Sequence, residues 1–337
     1  MEAAKVGGGG FLLHFIKGCV MILFMASDSG WKRFKMRDVL PGWNFCEYIV
    51  LRGIATGVNC LPISWSSWIA EKIGDLLFFC LGERRKIAFD NVKIAFGDSL
   101  TQERKTVIVK ATFRNLVTTL MELFRTPGML KDADRSFELE GTEHLDRALA
   151  RGKGLILVIS HLGSWEYLGF LPYLRKYPCS VIGRPMKNPY IYRWVQVLRR
   201  WTSLKHIDKR NAIKEVLREL RANHVVGILI DQWAGSEGIW ANFFGEGTST
   251  TSVPARLSMK TGCALVPAYC IRKDSGRYRI SIKPEVSIQG KEGDWEAKTT
   301  EELNHQLEEQ ILLYPDQWIW THRRWKGSNA CRGKVKF

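Results

Sequence analysis

Hydrophobic periodicity divides the chain into a helical first third and a remainder in which strands and helices alternate. Residues 11–26 (FLLHFIKGCVMILFMA) form the most apolar stretch, interrupted by His14 and Lys17. That is short of the ~20 apolar residues a spanning helix requires. Three readings stay open: an anchor or interfacial helix, a cleaved signal peptide, or a buried core helix. The first is preferred. The flank carries Lys32, Arg33, Lys35 and Arg37, a positive-inside signal that would hold the body of the protein in the cytoplasm, and no A-x-A cleavage site follows. Residues 41–81 are rich in Trp, Ile, Leu and Phe and punctuated by Gly53, Gly57, Pro62 and Gly74, which predicts short apolar helices partly seated in lipid. Helices are expected over 84–96 and 101–125. In the second, Val107, Ala111, Leu116, Leu120 and Leu123 recur near a 3.6 period, Thr101 supplies a start signal, and Pro127-Gly128 a stop.

Beyond this point the pattern changes. The run GLILVIS (154–160) is continuously apolar, as in a strand buried on both faces. Further strands are expected at 179–183, 204–207, 225–230, 264–271 and 277–282, with helices at 165–175, 190–201, 212–221, 253–260 and 296–313 between and after them. This alternation predicts an α/β fold with a central, largely parallel sheet flanked by helices, and with a helical, membrane-associated N-terminal region. The expected organisation is an N-terminal anchor or interfacial helix with a basic linker (1–40), a helical membrane-proximal region (41–135), an α/β core (136–326) and a basic tail (327–337).

Composition narrows the function. The 337 residues include 50 Lys+Arg against 34 Asp+Glu, a net charge of +16, which points to an anionic partner: nucleic acid, acidic lipid or phosphate-bearing substrates. The eight cysteines form no CxxC pair, which argues against a zinc site or a disulfide scaffold and suits a reducing compartment. No RNP-type signature accompanies the basic charge, so no nucleic-acid partner is expected.

Candidate chemistry gathers at predicted strand ends, where α/β proteins bind ligands. The first buried strand runs into Ser160-His161-Leu-Gly-Ser-Trp-Glu166. Gly163 permits a tight turn, and a carboxylate returning from the next helical turn would orient the imidazole and stabilise its charged form. His161 and Glu166 are therefore the candidate base and orienter, although a helix-start histidine with a dipole-complementing glutamate is also compatible with the pattern. No GxSxG elbow, HExxH or Walker loop is present, so a nucleophile brought by the substrate is expected. Arg184, Asp231 and Arg199 fall at or near the same rim. Guanidinium groups there suit phosphate or a developing oxyanion, and ion-pairing is the simpler alternative for Arg199 and Asp231. Ser249-Thr250-Thr251 reads as a helix cap in preference to a phosphate cradle. The stretch 318–326 (WIWTHRRWK) interleaves aromatics and bases, as in a membrane-interface belt, a nucleic-acid platform or a structural clamp.

These motifs together resemble the late acyltransferases of lipid A biosynthesis, the lauroyl/myristoyl transferase family of the lysophospholipid acyltransferase-like superfamily. ISHLGSWE (159–166) is similar to the family's HxxxxE/D motif. RRKIAFDNVKIAFGD (84–98), GRPMKNPYIYRWVQVLR (183–199), the segment 231–269 and PDQWIWTHRRWK (315–326) resemble its other blocks in order. Ser164 stands where many members have Asn. The resemblance implies a metal-free, cofactor-free enzyme on the cytoplasmic face of the bacterial inner membrane. Such an enzyme would move an acyl chain from acyl carrier protein or coenzyme A to a hydroxyl of a lipid A precursor, or of another glycolipid or aminolipid; a non-catalytic protein that binds anionic lipid is the alternative reading. The resemblance implies His161 and Glu166 as the catalytic pair, and Arg199 and Asp231 in substrate binding or oxyanion stabilisation, with Arg184 and Gly163 beside them.

Overall fold

The computed structural model describes residues 42–209, 212–289 and 293–328; the apolar segment 11–26 and all but the first two residues of the basic tail lie outside them. Helices α1 (Trp43–Cys60), α2 (Ile63–Cys80), α3 (Gly82–Phe96) and α4 (Gln102–Met129) form a helical layer. Here two expectations are corrected. The described part of this stretch, 42–81, holds two long helices, because Gly53, Gly57 and Gly74 lie inside them and only Leu61-Pro62 breaks the run. A glycine in a helix interior costs only ~1 kcal/mol relative to Ala, which packing offsets. Gly74 is placed where any Cβ would strike the Arg114 backbone, so its lack of a side chain lets α2 and α4 touch. Helix α4 also runs through Pro127 to Met129, not stopping before it. Proline there forfeits one backbone bond near the helix end, where tertiary contacts hold the last turn.

The α4 helix starts as its sequence indicates, with Thr101 accepting from the Arg104 N–H at 3.2 Å. Its burial is wider than the apolar stripe suggests. Val107 is exposed, whereas Asn115, Thr119 and Glu122 are buried at the i, i+4, i+7 spacing of one helix face.

Short segments α5 (Ala133–Ser136), β1 (Phe137–Glu140) and α6 (Thr142–Leu149) lead into β2 (Leu155–Ile159). After it come a 3₁₀ turn at Trp165–Phe170, α7 (Leu171–Arg175), β3 (Cys179–Gly183), α8 (Pro189–Arg200), β4 (Leu204–Asp208), α9 (Ala212–Arg221) and β5 (Val225–Leu229). A hairpin, β6 (Ile239–Phe243) and β7 (Glu246–Thr250), precedes α10 (Val253–Thr261), β8 (Ala264–Arg272), β9 (Tyr278–Ile282) and α11 (Trp295–Leu313). The hairpin turns at Phe244-Gly245, both at positive φ, the conformation that matches the right-handed twist of two paired strands. β1 and this hairpin are additions to the expected elements.

The seven-stranded sheet has the order β1-β9-β8-β2-β5-β3-β4. β8, β2, β5, β3 and β4 are parallel, while β9 and β1 run the other way. The expected α/β architecture with a mostly parallel sheet flanked by helices is thus present. β2 is buried at every position, as its unbroken apolar run requires. Among the described residues, no helix is long and apolar enough to cross a membrane.

Candidate active site

The register of two central strands creates the site. In the parallel β2–β5 pair, Ile159 lies opposite Leu229, so two residues further along each strand His161 and Asp231 leave the sheet side by side. His161 Nδ1 is 2.8 Å from Asp231 Oδ1, and the His161 backbone N–H donates to Asp231 Oδ2 at 2.8 Å. The Trp318 indole N–H adds a third donor to Oδ2 at 3.0 Å. Burial alone would raise the pKa of the Asp231 carboxyl. The His161 ring and backbone and the Trp318 indole outweigh it and hold the carboxyl at about 2. An ionised Asp231 can only accept, so Nδ1 carries the proton and Nε2 presents its lone pair. The Gln232 amide nitrogen lies 3.4 Å from Nε2, a long contact that an incoming hydroxyl can replace.

This arrangement corrects the expected His161–Glu166 pairing. Glu166 sits in the 3₁₀ turn and holds Arg199 of α8 in a two-pronged bridge, Nη2 to Oε1 at 2.7 Å and Nε to Oε2 at 3.1 Å. The Trp165 ring fills the position beside the imidazole, edge-on at 5.2 Å. A carboxylate five residues along a tight turn points towards the next helix, whereas one from the adjacent strand end meets the ring directly. Asp231 is likewise not free for an oxyanion or substrate, since it is 1% exposed and fully engaged.

Gly163 makes the tight turn expected of it but is not placed for the substrate or oxyanion contact the resemblance implies. Its φ is 63°, and a Cβ there would collide with the Cys270 carbonyl. Its N–H is spent on the Gln317 carbonyl at 2.9 Å, and the next N–H, of Ser164, on Cys270 O at 2.7 Å. Gly163 therefore lets the loop lie flat against β8 and the C-terminal segment, with its amide unavailable to an oxyanion. The Ser164 hydroxyl donates to Glu122 at 3.0 Å. Glu122 in turn takes Arg272 in a two-pronged bridge at 2.7 and 2.9 Å, while Asn115 Oδ1 accepts from the same guanidinium at 2.6 Å. The buried polar face of α4 thus fixes the loop that carries His161. Arg184 follows β3 on the same rim and is exposed.

The C-terminal stretch resolves as a clamp. Trp318, Trp320 and Trp325 are almost wholly buried. Arg324, also buried, donates to Ser249 O at 2.8 Å and Thr250 Oγ1 at 2.6 Å. Burial lowers its pKa, partly offset by the charge of Asp231, to about 10, so it stays cationic behind the site. Thr250 serves this arginine, and Thr251 Oγ1 accepts from Val253 N at 3.4 Å at the start of α10. Trp318 was not among the expected site residues; its place in a Trp-rich run gave no sign of which indole reaches a carboxylate.

The whole of this frame lies within residues 37–327, which match the family model described as bacterial lipid A biosynthesis acyltransferase. The chain is 30% identical over 273 residues to the lipid A biosynthesis palmitoleoyltransferase of Escherichia coli (strain K12), covering 79% of this chain and 86% of that protein. It is 29% identical over 263 residues to the lipid A biosynthesis lauroyltransferase of the same organism, covering 75% and 83%. To the phosphatidylinositol mannoside acyltransferase of Mycobacterium tuberculosis (strain CDC 1551 / Oshkosh) it is 27% identical, covering 60% and 66%. The chain belongs to the bacterial lipid A biosynthesis acyltransferase family, and it is an acyltransferase.

Proposed function

We propose that the protein moves an acyl chain from an acyl carrier protein or coenzyme A thioester to a sugar hydroxyl of a lipid A precursor, with His161 as general base and Asp231 as its orienting partner. His161 Nε2 takes the hydroxyl proton while the oxygen attacks the thioester carbonyl. The tetrahedral adduct collapses, the C–S bond breaks, and the imidazolium returns the proton to the departing thiolate, leaving an ester and a thiol. Asp231 stabilises the imidazolium and keeps Nδ1 protonated. Glu166 positions Arg199, whose Nε and Nη2 serve the bridge and whose Nη1 is left as its donor for a substrate oxygen. The observation that carries this reading is the 2.8 Å contact between His161 Nδ1 and Asp231 Oδ1 at the carboxyl end of two parallel strands.

The same reading seats the protein on the cytoplasmic face of the bacterial inner membrane. Trp65, Trp68, Leu76 and Phe79 of α2 are exposed at spacings that give that helix one apolar strip, and Phe45 and Ile49 of α1 are exposed four residues apart. A net charge of +16 favours an anionic leaflet, an acidic carrier protein and a phosphorylated acceptor.

The test is transfer from a series of acyl thioesters to a tetra-acylated lipid A precursor, run beside a phosphatidylinositol mannoside acceptor. His161→Ala and Asp231→Asn are expected to lower the rate by ~10²–10⁴-fold with unchanged folding. Near-normal transfer by His161→Ala would overturn the mechanism, and acylation of the mannoside alone would overturn the acceptor.

A further inference from the structure

A second cationic site lies between α8 and β4, away from the His161–Asp231 pair. It is a cleft of about 450 Å³, lined in part by Arg193, Gln196, Arg200, Lys205 and His206, with no carboxylate in its lining. The three α8 residues stand at i, i+3 and i+7 and so share one helix face. Lys205 is committed to Glu215 at 3.0 Å and Glu219 at 2.7 Å. Arg193 and Arg200 are exposed and have no ion-pair partner among the described residues.

Two further polar atoms there are unmet. The Gln196 side-chain nitrogen and His206 Nδ1 are buried without a hydrogen-bond partner, an arrangement that costs free energy unless something supplies acceptors. His206 Nε2 lies 3.2 Å from the Tyr192 hydroxyl. Burial, and after it the charge of Arg199, lowers the His206 pKa to about 4, so the ring is neutral near pH 7. Two guanidinium forks without an ion-pair partner among the described residues thus line the hollow, with two unmet polar atoms buried in its wall.

A strip of exposed apolar residues, Tyr190, Val197 and Trp201, runs along α8 at the 3.6-residue period. At 100° per residue this strip lies directly beside that of Arg193 and Arg200. An anion site bordered by apolar surface suits an amphiphile, not a free ion.

We infer that this cleft binds a phosphate group of the lipid acceptor, with Arg193 and Arg200 as its charged ligands. The inference rests on the lipid-acceptor reading above and adds a specificity site to it. Guanidinium forks match phosphate oxygens two at a time, which a lysine does not reproduce.

The test has a binding arm and a turnover arm, both on the full chain in detergent micelles. For binding, the probes are dihexanoyl phosphatidic acid and dihexanoylglycerol, which differ by the phosphate. Saturable binding of the first and not the second is expected, weakened about tenfold or more in Arg193→Ala/Arg200→Ala and partly kept in Arg193→Lys/Arg200→Lys. Both side chains are exposed, so unchanged melting of the variants is the folding control, and Arg200→Gln alone serves if the double variant melts early. Equal binding of the two probes, or no loss in the variants, would overturn the inference.

For turnover, the double alanine variant is expected to raise KM for a phosphorylated lipid A precursor and to leave KM for the thioester donor unchanged. After phosphatase treatment of the acceptor, wild type and variant should converge. A rise in the donor KM instead would assign the cleft to the donor's phosphopantetheine and overturn the inference. Should wild type transfer nothing to any acceptor, the acyl-transfer reading falls while the binding arm still decides this one.

Discussion

The Trp318 indole N–H donates to Asp231 Oδ2 at 3.0 Å, tying the segment after the last helix to the carboxylate that orients His161. With the His161 N–H on the same oxygen, it leaves Oδ1 to the imidazole.

Trp318→Phe keeps an aromatic ring in the clamp and deletes one donor to a buried charge. Such a bond contributes about 1.5–3 kcal/mol. The expected result is a fall in kcat of about tenfold or more. An unchanged kcat with a merely lower melting temperature would mean that Trp318 only packs.

Glu166 and Arg199 form a partly buried pair, each side chain 16% exposed. Removing one partner strands the other's charge, so Arg199→Ala and Glu166→Gln should each destabilise by about 1–3 kcal/mol, less than for a fully buried pair. The double variant should lose less than the sum of the two. Denaturant unfolding of all four proteins closes this cycle, and strict additivity would show that the bridge has no energetic role. If Arg199 also touches substrate, Arg199→Ala loses more kcat/KM than Glu166→Gln at equal stability.

Acid should destabilise the fold well before Asp231 titrates. Burial holds His322 at about 3, below its ordinary 6.5. The unfolded chain therefore takes up a proton as pH falls through 6.5 while the folded protein does not until about pH 3. Stability drops across that window by about 1.4 kcal/mol per pKa unit. Asp231 has the depressed carboxylate pattern, so its contribution is complete above 3.8 and is lost only between there and about 2. The melting temperature of wild type is expected to fall between pH 7 and pH 5, and that of His322→Phe to fall less. Parallel curves would show that His322 is not the sensitive group.

The apolar strip of α2 predicts contact with lipid. Trp65 and Trp68 are 62% and 58% exposed, and Lys72 lies 5.8 Å from the Trp68 ring, the pairing of an interfacial helix. Brominated lipids in anionic vesicles should quench part of the protein fluorescence, and Trp65→Phe/Trp68→Phe should remove that part. Unchanged quenching in the double variant would show that α2 faces water.

Local patterns carried much of this protein. The unbroken GLILVIS run is β2, Thr101 caps α4, and helix α9 spans 212–221, because buried strands, caps and amphipathic turns are written in residues a few positions apart. The loop from His161 to Glu166 was legible for the same reason, as a strand end followed by a glycine turn. The family too followed from short ordered motifs. What sequence could not supply is which distant groups meet. His161 and Asp231 are 70 positions apart and become neighbours only because β2 and β5 pair in parallel with Ile159 against Leu229. Trp318 reaches Asp231, and the Asn115–Thr119–Glu122 face of α4 is buried, only through packing of layers. Pro127 stays helical because contacts outside the helix outweigh one lost backbone bond. Periodicity reports the environment of a face, while partner choice depends on strand order and register, which are set by the whole chain at once.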